Sequence, residues 1–295
     1  MLCDAHIHFI PEELSVHTTF YRGIWTDQDS LFDFLDRYTI EKALLVYPST
    51  DAHLQLESRK AVCRIYNDAA ARLMEKNPKI AAAGIIDIAD ADKIMEQVEV
   101  LRERGFKALS LASSYEGTFI IEKMKTLLVS AQEHDMLIFV HPQTINPIGF
   151  ERVKDPLLMP VLEYSFDISM FLGMLMMHGL LGKYKVRFMF SSLGGVIPFL
   201  KDRFDRVYAM LRKRNLVKDL GKSPSEILKD VYVDTSGSSL KNIELAIDLF
   251  GPERVVWGSD YPVNLNVEEN IGMFDALDAG LRNKIVYQNL SDLLR

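Results

Sequence analysis

Eight short, near-continuously apolar runs recur along the chain, each followed by a longer stretch, several with clear helical periodicity, and this alternation constrains the fold more than any other feature. The runs are Leu2 to Ile7, Ala43 to Tyr47, Ile80 to Ile86, Phe106 to Leu111, Met136 to Val140, Val186 to Phe190, Val231 to Val233 and Arg254 to Trp257. Uninterrupted apolar runs of this length are what strands buried on both faces of a parallel sheet require. Between them lie helical patterns such as Arg59 to Glu75, Ala91 to Arg104 and Ile120 to His134. Strand then helix, repeated eight times over a length near the usual ~250 residues, predicts an α/β fold of the (β/α)8 TIM-barrel type. A doubly wound open sheet is the alternative, weakened because no G-x-G-x-x-G or G-x-x-x-x-G-K-[ST] follows any of the runs. No internal repeat or Pro/Gly/Ser linker divides the chain, so a single domain over residues 1–295 is expected.

Charge and cysteine content exclude several classes of partner. Lys and Arg number 34 against 41 Asp and Glu, a net charge of -7 that offers no basic excess for a nucleic-acid backbone or an anionic membrane. The two cysteines, Cys3 and Cys63, form neither a disulfide framework nor a zinc knuckle, which suits a reducing cytoplasm. Asp4, His6 and His8 interrupt the opening segment where a signal peptide needs an apolar core, and no later run approaches the roughly 18 apolar residues of a membrane span.

In a barrel of this kind, polar residues at the C-terminal ends of strands converge on one mouth. The first run ends in His6 and His8, whose two-residue spacing places both imidazoles on one face of an extended chain. His141 ends the fifth run and Asp260 follows the eighth, within Trp257-Gly258-Ser259-Asp260-Tyr261-Pro262. Three imidazoles and a carboxylate are a mixed N/O set suited to Zn, Mn or Fe, with room for water or substrate. His134 and His178 fall at the ends of helices that precede strands, on the opposite face of the barrel.

Asp4-Ala5-His6-Ile7-His8 resembles the D-x-H-x-H opening of the amidohydrolase superfamily. Further matching segments are Phe139-Val140-His141-Pro142, Ser192-Leu193-Gly194-Gly195 with Pro198 and Arg203, Asp234-Thr235, and Gly258-Ser259-Asp260-Tyr261-Pro262. Together they resemble the amidohydrolase-related branch that includes aminocarboxymuconate semialdehyde decarboxylase, resorcylate-type decarboxylases and several lactone hydrolases. The resemblance implies a (β/α)8 barrel with one divalent metal ion, zinc as first expectation, held by His6, His8, His141 and Asp260, and a homodimer as the family-level assembly. Members with two metals bridge them through a carboxylated lysine or glutamate at the end of strand 4; here that end reads Leu111-Ala112-Ser113, and Lys107 lies early in the strand, so a mononuclear site is expected.

Ser192 departs from the family, which commonly carries histidine before Leu-Gly-Gly as an acid/base and substrate-positioning group. A hydroxyl cannot carry a proton back and forth at pH 7. Two activities fit the remaining set. In hydrolysis of a small amide or lactone, Asp260 accepts a proton from metal-activated water, and no strand-6 histidine is needed. In decarboxylation of a small unsaturated or aromatic acid, a proton must reach the carbanion. Ser192 tips the sequence reading toward hydrolysis, with decarboxylation second and a metal-binding protein without turnover third. Asp260 and Ser192 are the catalytic candidates.

The substrate is a small molecule of unassigned identity. Phe9, Trp25, Tyr115, Phe119 and Tyr261 are aromatic candidates for the pocket, Arg22 and Arg152 are candidates to receive an anionic group, and His53 lies in a loop on the catalytic face. The segment from Gln143 to Tyr164, with Pro147, Pro156 and Pro160, is expected to be a shaped active-site loop.

Overall fold

The computed structural model describes residues 1–115, 117–149 and 155–295. Eight parallel strands stand in sequence order: β1 (Leu2–Ile7), β2 (Ile40–Leu45), β3 (Ile80–Gly84), β4 (Ala108–Ala112), β5 (Leu137–His141), β6 (Phe188–Phe190), β7 (Tyr232–Asp234) and β8 (Val255–Val256). Each pairs with the next, and helices lie between them, as in a (β/α)8 barrel. Strand neighbours that are also sequence neighbours exclude the doubly wound order, in which the sheet reverses direction.

β8 and β1 close the ring through backbone bonds. Ala5 N donates to Trp257 O at 2.9 Å, Asp260 N to His6 O at 2.9 Å and His8 N to Tyr261 O at 2.8 Å. The seam of the barrel therefore runs through residues expected to hold the metal. Asp4, the first residue of the D-x-H-x-H motif, reinforces it: its Oδ1 accepts from His6 N at 3.0 Å and from Ser259 N at 2.9 Å.

Two apolar clusters explain why the strands read as continuous runs. Cys3, Ala5, Leu44, Val46, Ala81, Ala83, Ala108, Leu137, Phe139, Met189 and Val256 form one cluster, joined by Leu290 and Leu293 from the C-terminal helix and by Leu294 just beyond it. Residues of the opposite parity, such as Ala43, Leu45, Ala82, Leu109, Ile138 and Val140, pack in the larger cluster with the surrounding helices. Alternate side chains thus enter two different apolar environments, and neither face of a strand needs a polar residue.

The helix Arg59–Lys76 shows how the outer layer is tied on. Ser58 caps it, accepting from Ala61 N at 3.2 Å, and Val62, Tyr66, Ala69, Ala70 and Leu73 are buried at helical spacing. Asn67 on the same face bonds the backbone of Ile85, donating to its O at 2.8 Å and accepting from its N at 2.9 Å, so the helix also fixes the chain leaving β3. The segment after β5 contains one turn of π-helix, Met159–Glu163, that leads into the helix Tyr164–Met177. Among the described residues no helix is long and apolar enough to cross a membrane.

Candidate metal centre

His6 lies in β1, His8 just beyond it and His141 at the end of β5; they are 2%, 2% and 6% exposed. Each offers a ring nitrogen such that the three atoms lie within 4.8 Å of one another. The rings meet edge to face, with centroids 4.7 to 5.3 Å apart.

The other nitrogen of each ring is already used. His8 Nδ1 faces Val46 O at 2.9 Å and His141 Nδ1 faces Pro142 O at 2.8 Å. A carbonyl oxygen only accepts, so both Nδ1 atoms carry the hydrogen and both Nε2 atoms present lone pairs. His6 Nδ1 faces Asp234 Oδ2 at 2.8 Å, which fixes the same tautomer. His6 Nε2 and His8 Nε2 then face each other at 3.0 Å with lone pair toward lone pair, an arrangement that needs a cation, proton or metal, to hold it. Asp260 supplies a carboxylate oxygen 3.2 Å from His8 Nε2 and 3.6 Å from His6 Nε2. Three neutral imidazoles and one carboxylate fit a divalent ion, with an acceptor behind every imidazole.

Protonation follows the same logic. Burial lowers the His6 pKa, but the carboxylates of Asp234 and Asp260 outweigh it and push it up to about 9. His8 and His141 are lowered, chiefly by burial, with repulsion from the neighbouring imidazoles adding to it. Burial would raise the Asp260 carboxyl, yet the histidines hold it below its ordinary value.

Backbone geometry aims these groups. Asp260 has φ +62°, a left-handed conformation that Asp tolerates better than most residues. Gly258 lies where a Cβ would come within 2.9 Å of His6 Cβ and 3.3 Å of Asp234 Cβ, so glycine leaves room for the His6–Asp234 pair. Asp234 had no assigned role in the sequence beyond its place in a matching segment. It is fully buried; Oδ1 accepts from Ser192 N at 2.9 Å, Ser236 N at 2.9 Å and Ser236 Oγ at 2.6 Å, while Oδ2 takes His6.

The Amidohydrolase family model matches residues 3–295. The chain belongs to the amidohydrolase family. Solved structures similar to this family member include 5-carboxyvanillate decarboxylase from Novosphingobium aromaticivorans, complexed with manganese and 4-hydroxy-3-methoxy-5-nitrobenzoic acid. That pair is 22% identical, with a TM-score of 0.83 over 100% of this chain and 96% of the other. 2,6-Dihydroxybenzoate decarboxylase from Rhizobium is 20% identical, with a TM-score of 0.81 over 100% and 99%. Dihydroxybenzoic acid decarboxylase from Polaromonas sp. JS666, with bound manganese and 2-nitroresorcinol, is 19% identical, with a TM-score of 0.78 over 100% and 97%.

In this amidohydrolase-family chain Ser192 is half-buried at the end of β6. Its Oγ lies 3.2 Å from Ser236 Oγ, and its backbone N–H reaches Asp234, so it joins the cluster through the residue behind His6. The following Gly195 has φ +72° and packs so tightly that a Cβ would lie 2.2 Å from Ser165 O, which accounts for the second glycine of Leu-Gly-Gly.

The substrate candidates separate. His53 and Tyr115 line one cleft with Tyr47, Thr50, Arg59 and Gln143, formed by the segments that follow β2 to β5. Arg59 stands over the Tyr115 ring, 5.4 Å from its centroid. Arg22 is exposed and donates to Thr18 O at 3.1 Å, within its own loop. Arg152 lies outside the described residues. Trp25 stacks on the His8 ring at 5.6 Å, whereas Tyr261 stacks on Phe34 and Phe119 on Phe171. Lys107 precedes β4, at the end of the strand away from the mouth.

Proposed function

We propose that this protein is a metal-dependent decarboxylase of a small aromatic or unsaturated carboxylic acid, with His6, His8, His141 and Asp260 holding one divalent ion. The observation that carries the proposal is the set of three Nε2 lone pairs converging beside the Asp260 carboxylate at the barrel mouth. Full-length likeness to decarboxylases of hydroxybenzoic acids supports this reaction over hydrolysis, and the manganese in two of those structures supports manganese over zinc. Two free thiols suit a cytoplasmic setting.

A bound divalent ion supplies positive charge for the substrate's carboxylate and a neighbouring phenolic oxygen. Asp260 then moves the proton. Its side chain is 25% exposed, and the histidines hold its pKa low, so it enters the reaction as a base. It takes the phenolic hydrogen on Oδ2, since Oδ1 faces the histidines, and delivers it to the ring carbon that bears the carboxylate. As the bond from that carbon to the carboxylate breaks, carbon dioxide leaves and the ring recovers its aromatic electrons. The phenolate product regains a proton from water. This route draws on no imidazole at position 192.

Hydrolysis of a small amide or lactone remains the second reading, favoured by Ser192, since Asp260 would serve equally as base toward water. Incubation with manganese and a panel of ortho-hydroxybenzoates, monitored for carbon dioxide, tests the proposal. Turnover of lactones or amides without carbon dioxide release would establish the second reading instead.

A further inference from the structure

We propose that Asp167 is a positioning residue for His141, acting through Ser113 and the peptide between Pro142 and Gln143. His141 Nδ1 donates to the carbonyl of that peptide at 2.8 Å. The N–H of the same peptide, on Gln143, donates to Ser113 Oγ at 3.1 Å. Ser113 gives its one hydroxyl hydrogen to Asp167 Oδ2, so its lone pair is what Gln143 meets. Every hydrogen in this chain points the same way, from imidazole to peptide to hydroxyl to carboxylate. Such a chain polarises each bond in it and favours the His141 tautomer that leaves Nε2 bare.

Its members are buried: Asp167 is 3% exposed, Ser113 and Ser114 0%, Gln143 and His141 6%. Asp167 also accepts from Ser114 Oγ at 2.8 Å and Ile148 N at 3.2 Å, and among the described residues no cationic side chain reaches it. A buried carboxyl that meets only hydroxyl and amide donors among the described residues is costly to keep, which argues for a use beyond packing. His6 has its carboxylate in direct contact and His141 reaches one at the end of a relay; His8 is backed by a backbone carbonyl.

The inference rests on the metal-centre reading, and the test separates the two. Manganese(II) affinity is measured by electron paramagnetic resonance for the parent protein, Asp167→Asn, Ser113→Ala, Ser113→Thr and Ser114→Ala. Asp167→Asn and Ser113→Ala are expected to weaken binding about tenfold to a hundredfold. Ser113→Thr, which keeps a hydroxyl, restores it. Ser114→Ala stays within about threefold, because its hydroxyl touches Asp167 but not the Gln143 amide. The second readout is the nitrogen resonances of the His141 ring in metal-free protein, where the parent shows the Nδ1–H form and Ser113→Ala a mixture of tautomers. Parent-like affinity and tautomer in Ser113→Ala, or equal losses in all three truncated or amidated variants, would overturn the proposal. If the parent protein binds no manganese the metal-centre reading fails, and the metal-free tautomer measurement still judges Asp167.

Discussion

His6 gives its Nδ1 hydrogen to Asp234 across 2.8 Å, while the other oxygen of that carboxylate gathers the backbone N–H groups of Ser192 and Ser236. An asparagine at 234 offers one oxygen for these two sides. Whichever way the amide turns, its NH2 faces another donor. Asp234→Asn is expected to fold, to weaken manganese binding about tenfold to a hundredfold and to lower turnover at subsaturating metal. Titration with the metal checks it; unchanged affinity would remove Asp234 from the site.

Metal binding should be tied to a proton. Without an ion, His6 carries a proton up to about pH 9, against an ordinary value of 6.5. The incoming ion displaces it, so affinity climbs as pH rises toward 9 and levels off above. Stability of the metal-free protein moves the opposite way: a raised histidine pKa contributes stability that is fully present below 6.5 and lost as pH passes through about 9. Metal-free protein should therefore lose thermal stability across that interval, and metal-loaded protein should not. Calorimetric titration at pH 7.5 in buffers of different ionisation enthalpy should count close to one proton released per ion.

Trp25 stacks on His8 with ring planes 28° apart, whereas Trp257, with its N–H bonded to Asn270 at 2.6 Å, lies within the barrel wall. Manganese should quench the emission of Trp25 and leave that of Trp257. The signal should vanish in Trp25→Phe and survive in Trp257→Phe; a persistent signal in Trp25→Phe would mean that the ion binds elsewhere.

Ser192→Ala removes a hydroxyl whose neighbour is Ser236 and spares the backbone bond to Asp234. Activity on the true substrate should fall at most about tenfold, the ~1.4 kcal/mol of one modest hydrogen bond. A loss near a thousandfold would place Ser192 among the groups that touch the reacting atoms.

The barrel was legible because strands buried on both faces leave unbroken apolar runs, and the candidate ligands because each is a polar residue at or near the end of such a run. Boundaries moved for local reasons. Phe106 read as the start of a strand, but it is fully buried in the turn that closes the preceding helix, its N–H on Leu101 O, and β4 begins at Ala108. Asp234 was visible only as part of a matching segment, since the sequence cannot show that it meets an imidazole 228 positions away. Asp167 left no signal at all: it sits in a helix otherwise rich in apolar residues, and its partners lie after β4 and β5. Arg22 is readable as a basic loop residue, and only the fold turns its guanidinium to its own loop.

The seam between β8 and β1 sets an order of events during synthesis. Of the eight strands, β1 and the residue just beyond it bring two of the imidazoles before any other strand is made, yet the strand that closes against it is the last of the eight, and the partners His8 and Asp260 are 252 positions apart. Until β8 docks, β1 has an open edge and the ligand set lacks its carboxylate. In the proposed site, a nascent chain can therefore complete the ligand set only when nearly all of the barrel has emerged. An ion held by His6, His8 and Asp260 would fasten the first strand of the barrel to the segment that follows the last.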